Sequence, residues 1–233
     1  MLVRDWMSQP VVAVGVEDTM QRAIELMKDY DIGMLPVMDG GRLVGIVTDR
    51  DLKRAAPSDA AVFEVRQVLY HLSRVQMGAI MSRKPVTVRY DHTVEEAAQT
   101  LLDRKISGCP VMDTSGQVVG IITKSDIFRA IVSVTGLLKR GLQFGVTLED
   151  RPGSIKEVTD VVRSYGGRLV SILTSYDNAP KGSRRAYIRA FGFDRDRLPQ
   201  LKQLLRDKMK LIYMIDHRID EREIYNNAKD AAK

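Results

Sequence analysis

One pattern of apolar and polar positions occurs twice in this chain. An apolar run interrupted by a glycine leads into a Thr-x-x-Asp phrase at Leu43–Asp51 and again at Val118–Asp126. A short apolar run bounded in this way is typical of a buried strand, and Thr followed three residues later by an acid is typical of a helix start. We therefore predict two strand-to-helix junctions. Their duplication makes them the candidate functional site.

The sequence around these junctions repeats as well. Met7-Ser8 has a counterpart in Met81-Ser82, and Pro36-Val37-Met38-Asp39 recurs as Pro110-Val111-Met112-Asp113. The offset is 74 residues at the two prolines and 75 at the last Asp of each phrase, so the copies differ by a single inserted residue. A repeat at a nearly constant offset indicates two copies of one structural unit.

Each copy alternates between helical and strand periodicity. The apolar positions with helical spacing are Met20, Ala23, Ile24 and Met27 in the first copy and Val94, Ala97, Ala98 and Leu101 in the second. The β-branched segments that follow are typical of strands, and Asp39–Arg42 and Asp113–Gly116 are predicted as the hairpin turns between them. Each copy is thus predicted as strand, helix, strand, strand and helix.

Two further patterns complete the chain. Between the copies, apolar residues at helical spacing predict a helical linker: Val62, Val65, Val68, Leu69 and Leu72. From Leu142 onward the pattern reads strand, helix, strand, strand, helix and strand, which is the βαββαβ order of a split βαβ unit. The polar tail from Asp220 is predicted to be helical or frayed.

Composition and charge narrow the class of protein. Among 233 residues, 44% are hydrophobic and 28% are charged, which is typical of a folded chain with more than one domain. No apolar stretch approaches the roughly 18 residues of a membrane span, the first residues lack a signal-peptide pattern, and there is one cysteine, so we expect a cytoplasmic protein without membrane contact. The net charge of +6 is spread among acids, which argues against a nucleic-acid partner but suits anionic small ligands.

The sequence lacks the residue patterns that are typical of catalytic and metal-binding sites. His71, His92 and His217 lie far apart, and none has a His or Cys neighbour at metal-ligand spacing. Cys109 is interpreted as a small buried hydrophobic residue, with a redox sensor as the alternative. The nucleophile-elbow, Walker A and dinucleotide-binding motifs are all missing from the sequence. We predict no enzymatic activity, no metal and no catalytic cofactor.

The Thr-x-x-Asp phrase has two physical interpretations. It can be a capping box only, in which the Thr oxygen accepts from one orphan amide and the acid reaches back to another. It can also be a nucleotide site, in which the helix N-terminus and the Thr hydroxyl bind phosphate while the Asp accepts from a ribose diol. Basic neighbours such as Arg50 and Lys124, with Gly45 and Gly120 permitting close backbone approach, add to the second interpretation.

The duplicated unit resembles a pair of CBS domains, a Bateman module, over roughly residues 1–134. The resemblance rests on the two phrases and on the segments 33–37 and 107–111, which read Gly-Met-Leu-Pro-Val and Ser-Gly-Cys-Pro-Val. In that family the Thr and Asp contact ribose and phosphate of adenosine-containing ligands, and the backbone before the Pro, with the first strand, holds the adenine. The resemblance implies a first site of Thr48, Asp51, Leu35, Val12, Ala13 and Val14. It implies a second site of Thr123, Asp126, Cys109, Val86, Thr87 and Val88. Arg50 is added to the first site and Lys124 to the second as the basic neighbours described above.

Residues from Leu142 to Ile219 resemble an ACT domain. The resemblance rests on the βαββαβ order and on Asp150-Arg151-Pro152-Gly153 at the first strand-to-helix junction. That family places a glycine here, where an amino acid approaches the backbone at a dimer interface, which implies a site at Asp150, Pro152 and Gly153. The alternative is a ligand-free dimerisation module in which Pro152 and Gly153 only start the helix. Over almost its whole length the chain resembles the acetoin-utilisation B protein group of bacteria.

The predicted fold class is α+β. Two CBS units, each of strand, helix, strand, strand and helix, pack as a pair and are followed by a ferredoxin-like ACT domain of βαββαβ order. The expected boundaries are 1–56 for the first CBS unit, 57–74 for the helical linker, 75–136 for the second CBS unit, 142–219 for the ACT domain and 220–233 for the polar tail.

The expected function is regulatory. We expect a homodimer that binds AMP, ADP, ATP or S-adenosylmethionine in the CBS pair and couples occupancy to domain arrangement or to an unidentified target protein. A link to acetoin or central carbon metabolism, and an amino acid at the ACT interface, are further implications of the resemblance. The alternative is an interaction scaffold whose CBS pair is empty and only dimerises.

Overall fold

The computed structural model describes residues 1–56 and 72–225. The chain divides into two compact units, Met1–Ala130 and the residues from Ile131 onward. Most of the predicted linker helix lies outside the described residues, with only Leu72 of its apolar positions inside them. In the described part of the chain, no helix has the length and apolar character needed to cross a membrane.

The first unit contains both copies of the repeat, each with the predicted order of elements. The first copy consists of β1 (Val14–Gly15), α1 (Met20–Asp29), β2 (Met34–Asp39), β3 (Arg42–Thr48) and α2 (Asp49–Ala55). The second copy and the segment before it consist of α3 (Met77–Ile80), β4 (Ser82–Arg83), β5 (Val88–Arg89), α4 (Val94–Asp103), β6 (Gly108–Met112), β7 (Val118–Thr123) and α5 (Lys124–Val134), of which α5 belongs to the first unit as far as Ala130. The strand orders of its two sheets are β1-β2-β3-β4 and β5-β6-β7.

The first helix of each copy begins at an equivalent threonine. Thr19 accepts a hydrogen bond from the Arg22 amide, and Thr93 forms a capping box with Glu96. Of the four apolar positions with helical spacing in α1, three are buried and the fourth, Ile24, is 37% exposed.

Each copy completes its core with a short segment that precedes the other copy. Ser8 pairs with Ile121 of β7 through two backbone hydrogen bonds of 2.8 and 3.1 Å, and Val3 is fully buried in the core of the second copy. In the same way, β4 pairs with β3 of the first copy, and Met77 is fully buried in the core of that copy. The two copies therefore exchange two short segments: residues 3–8, which precede the first copy, pack on the second, and residues 77–83, which precede the second copy, pack on the first.

Gly45 and Gly120 provide the space that this exchange requires. A Cβ atom on Gly45 would lie 2.4 Å from Sδ of Met81, and a Cβ atom on Gly120 would lie 2.4 Å from Sδ of Met7. From the sequence, these glycines are expected to give room to a ligand. The structure shows that a methionine of the exchanged segment occupies the space in both copies.

The second unit is built around a five-stranded antiparallel sheet. Its elements are β8 (Leu142–Glu149), α6 (Ser154–Ser164), β9 (Arg168–Ser175), β10 (Ser183–Phe191), α7 (Leu198–Met209), β11 (Leu211–Asp216) and β12 (Glu221–Ile224). The strand order is β12-β11-β8-β10-β9, and buried residues of β8 and β10 form the core with α6 and α7. The first six of these elements have the predicted βαββαβ order.

The last strand, β12, departs from the prediction. Glu221–Ile224 pair antiparallel with β11, so the expectation of a helical or frayed end is wrong for these residues. The edge of β11 offers unpaired backbone groups, and β12 satisfies them. Its polar side chains have partners too, because Glu223 accepts hydrogen bonds from Lys202 and Tyr225. The rest of the predicted tail, 226–233, lies outside the described residues.

Replacing Gly120 with alanine should lower the free energy of unfolding by about 1–3 kcal/mol, because the new methyl group overlaps the Met7 thioether. Urea unfolding followed by circular dichroism measures the change. Gly33→Ala is the matched control, since nothing lies within 4 Å of the position that its new methyl group would take. Adding Met7→Ala should relieve the penalty; equal penalties with and without Met7 would contradict the packing interpretation.

Cys109 should resist alkylation in the folded protein. Its side chain is 1% exposed in the core of the second copy, and burial raises the pKa of its thiol to about 12. Because the thiolate is the reactive form, iodoacetamide at pH 8 should leave the folded chain unlabelled and should label the urea-unfolded chain. Mass spectrometry reads this directly, since Cys109 is the only cysteine. Rapid labelling of the folded chain would show that the thiol is accessible.

Candidate functional site

Both Thr-x-x-Asp phrases form capping boxes of the same geometry. In the first copy, Asp51 Oδ2 accepts from the Thr48 amide at 2.9 Å and from Thr48 Oγ1 at 2.6 Å, and the Asp51 amide donates to Oγ1 at 3.3 Å. The corresponding distances for Thr123 and Asp126 are 2.8, 2.7 and 3.3 Å. The cap interpretation of the phrase is therefore correct in both copies, and any ligand must use the atoms that remain.

The first turns of α2 and α5 leave few amides free. The Asp49 amide donates to the Gly33 carbonyl at 3.0 Å, and the Lys124 amide donates to the Ser107 carbonyl at 2.9 Å. The third amide of each turn is used by the capping box. Within the described residues, the second amide of each turn, at Arg50 and Ser125, has no hydrogen-bond partner and can donate to a ligand.

A cavity of about 440 Å³ lies beside the second capping box, within the first unit. Both copies line it: Ser8, Pro10, Val12, Asp31, Ile32, Gly33, Met34, Asp49, Ser107, Ile121, Thr123, Lys124, Ser125 and Asp126. Its wall combines apolar side chains with hydroxyl groups, one lysine and three carboxylates. It is a concave site built at the junction of the two repeats.

Val12 does not lie in the site to which the sequence resemblance assigns it. The resemblance assigns it to the site of Thr48 and Asp51, but it lines the cavity that contains Thr123 and Asp126. The cause is the segment exchange, because Ser8 is paired with β7 and leads the following residues past the second phrase. Ser82 is paired with β3 in the same way.

Several other residues of the predicted sites contribute little side-chain surface. Leu35 and Cys109 are buried in the cores of the two copies, so only their backbone could meet a ligand. Val14 and Val88 are likewise buried, in parallel pairing with Val37 and Val111. Four predicted positions are more accessible, half-buried or exposed: Ala13, Arg50, Val86 and Thr87.

The cavity also includes residues that the sequence analysis did not assign to a site. Ser8, Met34 and Ser107 are the main ones. The recurrence of Met-Ser in both copies is the signal that could have identified Ser8, but its position depends on long-range pairing that periodicity does not reveal.

Asp51 and Asp126 differ in the hydrogen bonds made by their outer carboxylate oxygen, Oδ1, which takes no part in the capping box. Asp126 is 3% exposed, and its Oδ1 accepts from Arg129 at 2.8 Å and from Ser8 Oγ at 3.4 Å. The same Arg129 nitrogen, Nη2, donates to the Trp6 carbonyl at 3.0 Å. Asp51 is half-buried, and within the described residues its Oδ1 accepts no hydrogen bond.

In the second unit, the predicted residues lie next to a separate cavity of about 600 Å³. Gly153 adopts a positive φ of 88° as the N-cap of α6, and no atom lies within 4 Å of the position that a Cβ atom would take there. Arg151 and Ser154, which flank Pro152 and Gly153, line the cavity. Asp150 forms an ion pair with Arg184, whose Nε lies 3.8 Å from Oδ1 of Asp150.

Charged groups of both signs line this second cavity. Arg151 forms ion pairs with Glu149 at 3.0 Å and with Glu157 at 2.8 Å, and its guanidinium lowers the pKa of Glu157. Lys208 and Lys210 also contribute to the cavity wall. Among the residues described in either unit, no cluster of three His, Cys, Asp or Glu side chains could hold a metal ion.

Comparison with known proteins identifies the family of the first unit. The model of the CBS domain matches residues 3–58 and 77–133. A CBS domain-containing protein of Dictyostelium discoideum is 32% identical over 134 residues, which cover 57% of this chain and 92% of that protein.

Solved structures are similar over the same part of the chain. The CBS domain of a CBS domain-containing membrane protein from Sphaerobacter thermophilus is 29% identical with a TM-score of 0.50, covering 55% of this chain and 86% of that one. CBSX2 of Arabidopsis thaliana, solved in complex with AMP, is 29% identical with a TM-score of 0.48, covering 57% of this chain and 98% of that one. The chain belongs to the family of CBS domain proteins, and its first unit is a tandem CBS pair.

Proposed function

We propose that this protein is a non-catalytic regulator that binds an adenine nucleotide or another adenosyl ligand in its CBS pair. The observation that carries the proposal is the 440 Å³ cavity that the capping box of Thr123 and Asp126 lines together with Val12 and Met34 of the other repeat. Occupancy is coupled to the arrangement of the CBS pair or to a target protein.

The cavity has the size and chemistry for such a ligand. Small-molecule sites commonly measure about 300–1,000 Å³ and combine apolar walls with a few directed polar groups. Val12, Ile32 and Met34 offer an apolar surface for a purine ring. We assign a phosphate to the Ser125 amide and the Lys124 ammonium group, and the ribose hydroxyls to Asp126, because all three residues line the cavity.

The exchange of segments supports two equivalent sites. By the repeat, the counterpart of the Thr123 and Asp126 site combines Thr48 and Asp51 with Val86, which follows the paired Ser82 as Val12 follows Ser8. A ligand that touches both repeats has different contacts in different arrangements of the pair. That difference in affinity is what allows binding to shift the arrangement.

For the second unit we propose an ACT domain. The strand order, the positive φ of Gly153 and the adjacent 600 Å³ cavity support it, because a cavity with charges of both signs suits the ammonium and carboxylate of an amino acid. The physiological link to acetoin use is proposed from sequence resemblance to the acetoin-utilisation B group.

A homodimer is the proposed assembly. Leu102 on α4 and Phe128 on α5 are 64% and 65% exposed, although both are large and apolar. Removing such side chains from water is favourable by about 25 cal/mol per Å². The same exposure supports the alternative function, a ligand-free scaffold that acts through dimerisation.

Thermal unfolding with AMP, ADP, ATP and S-adenosylmethionine tests the adenosyl site. A ligand at about 100 times its Kd should add ~2.7 kcal/mol of stability and raise Tm. Asp51→Asn combined with Asp126→Asn should abolish the rise, because the charged acceptors for the ribose are lost.

The matched control is Glu96→Gln, which alters the capping box of α4. Neither residue of that capping box, Thr93 or Glu96, lines the cavity. This variant should be slightly less stable and should keep the full ligand-induced rise. The adenosyl site is refuted if no ligand raises Tm, or if the rise persists in the double Asp variant.

Substitution of the exposed apolar residues tests the dimer. Leu102→Glu with Phe128→Glu should convert the protein from dimer to monomer, because each glutamate would be desolvated at the interface. Light scattering after size exclusion measures the mass. Ile224→Glu, at another exposed apolar position, should remain dimeric, and a monomeric wild type would rule the assembly out.

A further inference from the structure

Asp126 has no free acceptor position for a ligand. A carboxylate offers about four lone-pair positions. Two on Oδ2 are used by the Thr123 amide and hydroxyl, and two on Oδ1 are used by Arg129 and Ser8. A ribose diol can therefore bind Asp126 only by replacing donors that are already there.

The two donors on Oδ1 are unequal. The Ser8 hydroxyl is 3.4 Å away, whereas Arg129 is 2.8 Å away and forms an ion pair with the buried carboxylate. Charge-assisted hydrogen bonds are the stronger class, so displacing Arg129 is the larger step. The Arg129 side chain is 61% exposed, so its guanidinium can turn outward without crossing packed residues.

Arg129 also ties the site to the exchanged segment. Its Nη2 donates both to Asp126 and to the Trp6 carbonyl, so leaving the carboxylate breaks both bonds together. Trp6 is half-buried against the core of the second copy, between Val3 and the Ser8 pairing that lock the segment in place.

We propose that Arg129 couples occupancy of this site to the exchanged N-terminal segment. The cis-diol of a bound ribose takes the outer oxygen of Asp126, Arg129 leaves, and the segment loses its anchor at Trp6. The inference rests on the proposed function, and it names the ligand feature that triggers the response: an intact ribose diol.

The first copy provides an internal comparison. Arg54 follows Asp51 by three residues, as Arg129 follows Asp126, yet within the described residues it makes no hydrogen bond to that acid. Among the described residues, none donates to Oδ1 of Asp51, so a diol that binds there has no arginine to displace.

Intrinsic fluorescence of Trp6, the only tryptophan, reads the coupling in the full chain. Adenosine is the probe, because it carries the diol and no phosphate that could engage Arg129 separately. It should shift the Trp6 emission, and 2′-deoxyadenosine should bind at least about fivefold more weakly and cause no shift. Calorimetry measures binding independently of the fluorescence.

Two matched variants test the role of Arg129. In Arg129→Gln the emission should already be shifted without ligand, and adenosine should bind at least about threefold more tightly without a further change. Arg54→Gln should retain the wild-type response. Urea unfolding confirms that both variants are folded.

The possible failures are distinguishable. Adenosine binding with an unchanged Trp6 spectrum, or an unaltered response in Arg129→Gln, would overturn the coupling and leave the proposed function standing. If calorimetry detects no binding of adenosine or AMP, both the proposed function and this inference are overturned.

Discussion

The geometry of the first unit depends on the exchange of two short segments between its repeats. Met7 and Met81 pack against Gly120 and Gly45, and neither core is closed without the residue that its partner segment supplies. Because Ser8 is fixed on β7, the chain that follows it passes the second capping box and returns to its own repeat. The cavity is a consequence of that path, since its walls come from both repeats.

In the capping boxes, a stabilising feature and a proposed binding site share the same atoms. Each Thr and Asp pair satisfies orphan amides at a helix start, a contribution of about 1 kcal/mol that exists without any ligand. The capping box leaves one amide in each first turn and the outer carboxylate oxygen, Oδ1, outside its own hydrogen bonds. In the first copy no described residue donates to that oxygen, whereas in the second it accepts from Arg129. The two proposed sites share the Thr-x-x-Asp pattern but thus differ in how much a ligand would have to rearrange.

Local patterns in the sequence predict the elements and the capping boxes, because helical spacing, strand runs and Thr-x-x-Asp are short-range signals. These local patterns do not predict contacts between segments that are far apart in the sequence. The position of Val12 depends on Ser8 pairing with a strand more than one hundred residues away, and β12 depends on an open edge of β11. The glycines of the phrases are recognisable in the sequence, but the methionines that fill their space are not.

The exchange also bears on how a tandem arrangement of this kind can arise. A single repeat with its own leading segment would leave the core position filled by Val3 or Met77 empty. It could fill that position by exchanging segments with an identical chain, which is a domain-swapped dimer. Fusion of two such chains turns the trade into an intramolecular step, with a high effective concentration and no dependence on protein concentration. The paired repeat is, in these terms, a swapped dimer made permanent by one covalent connection.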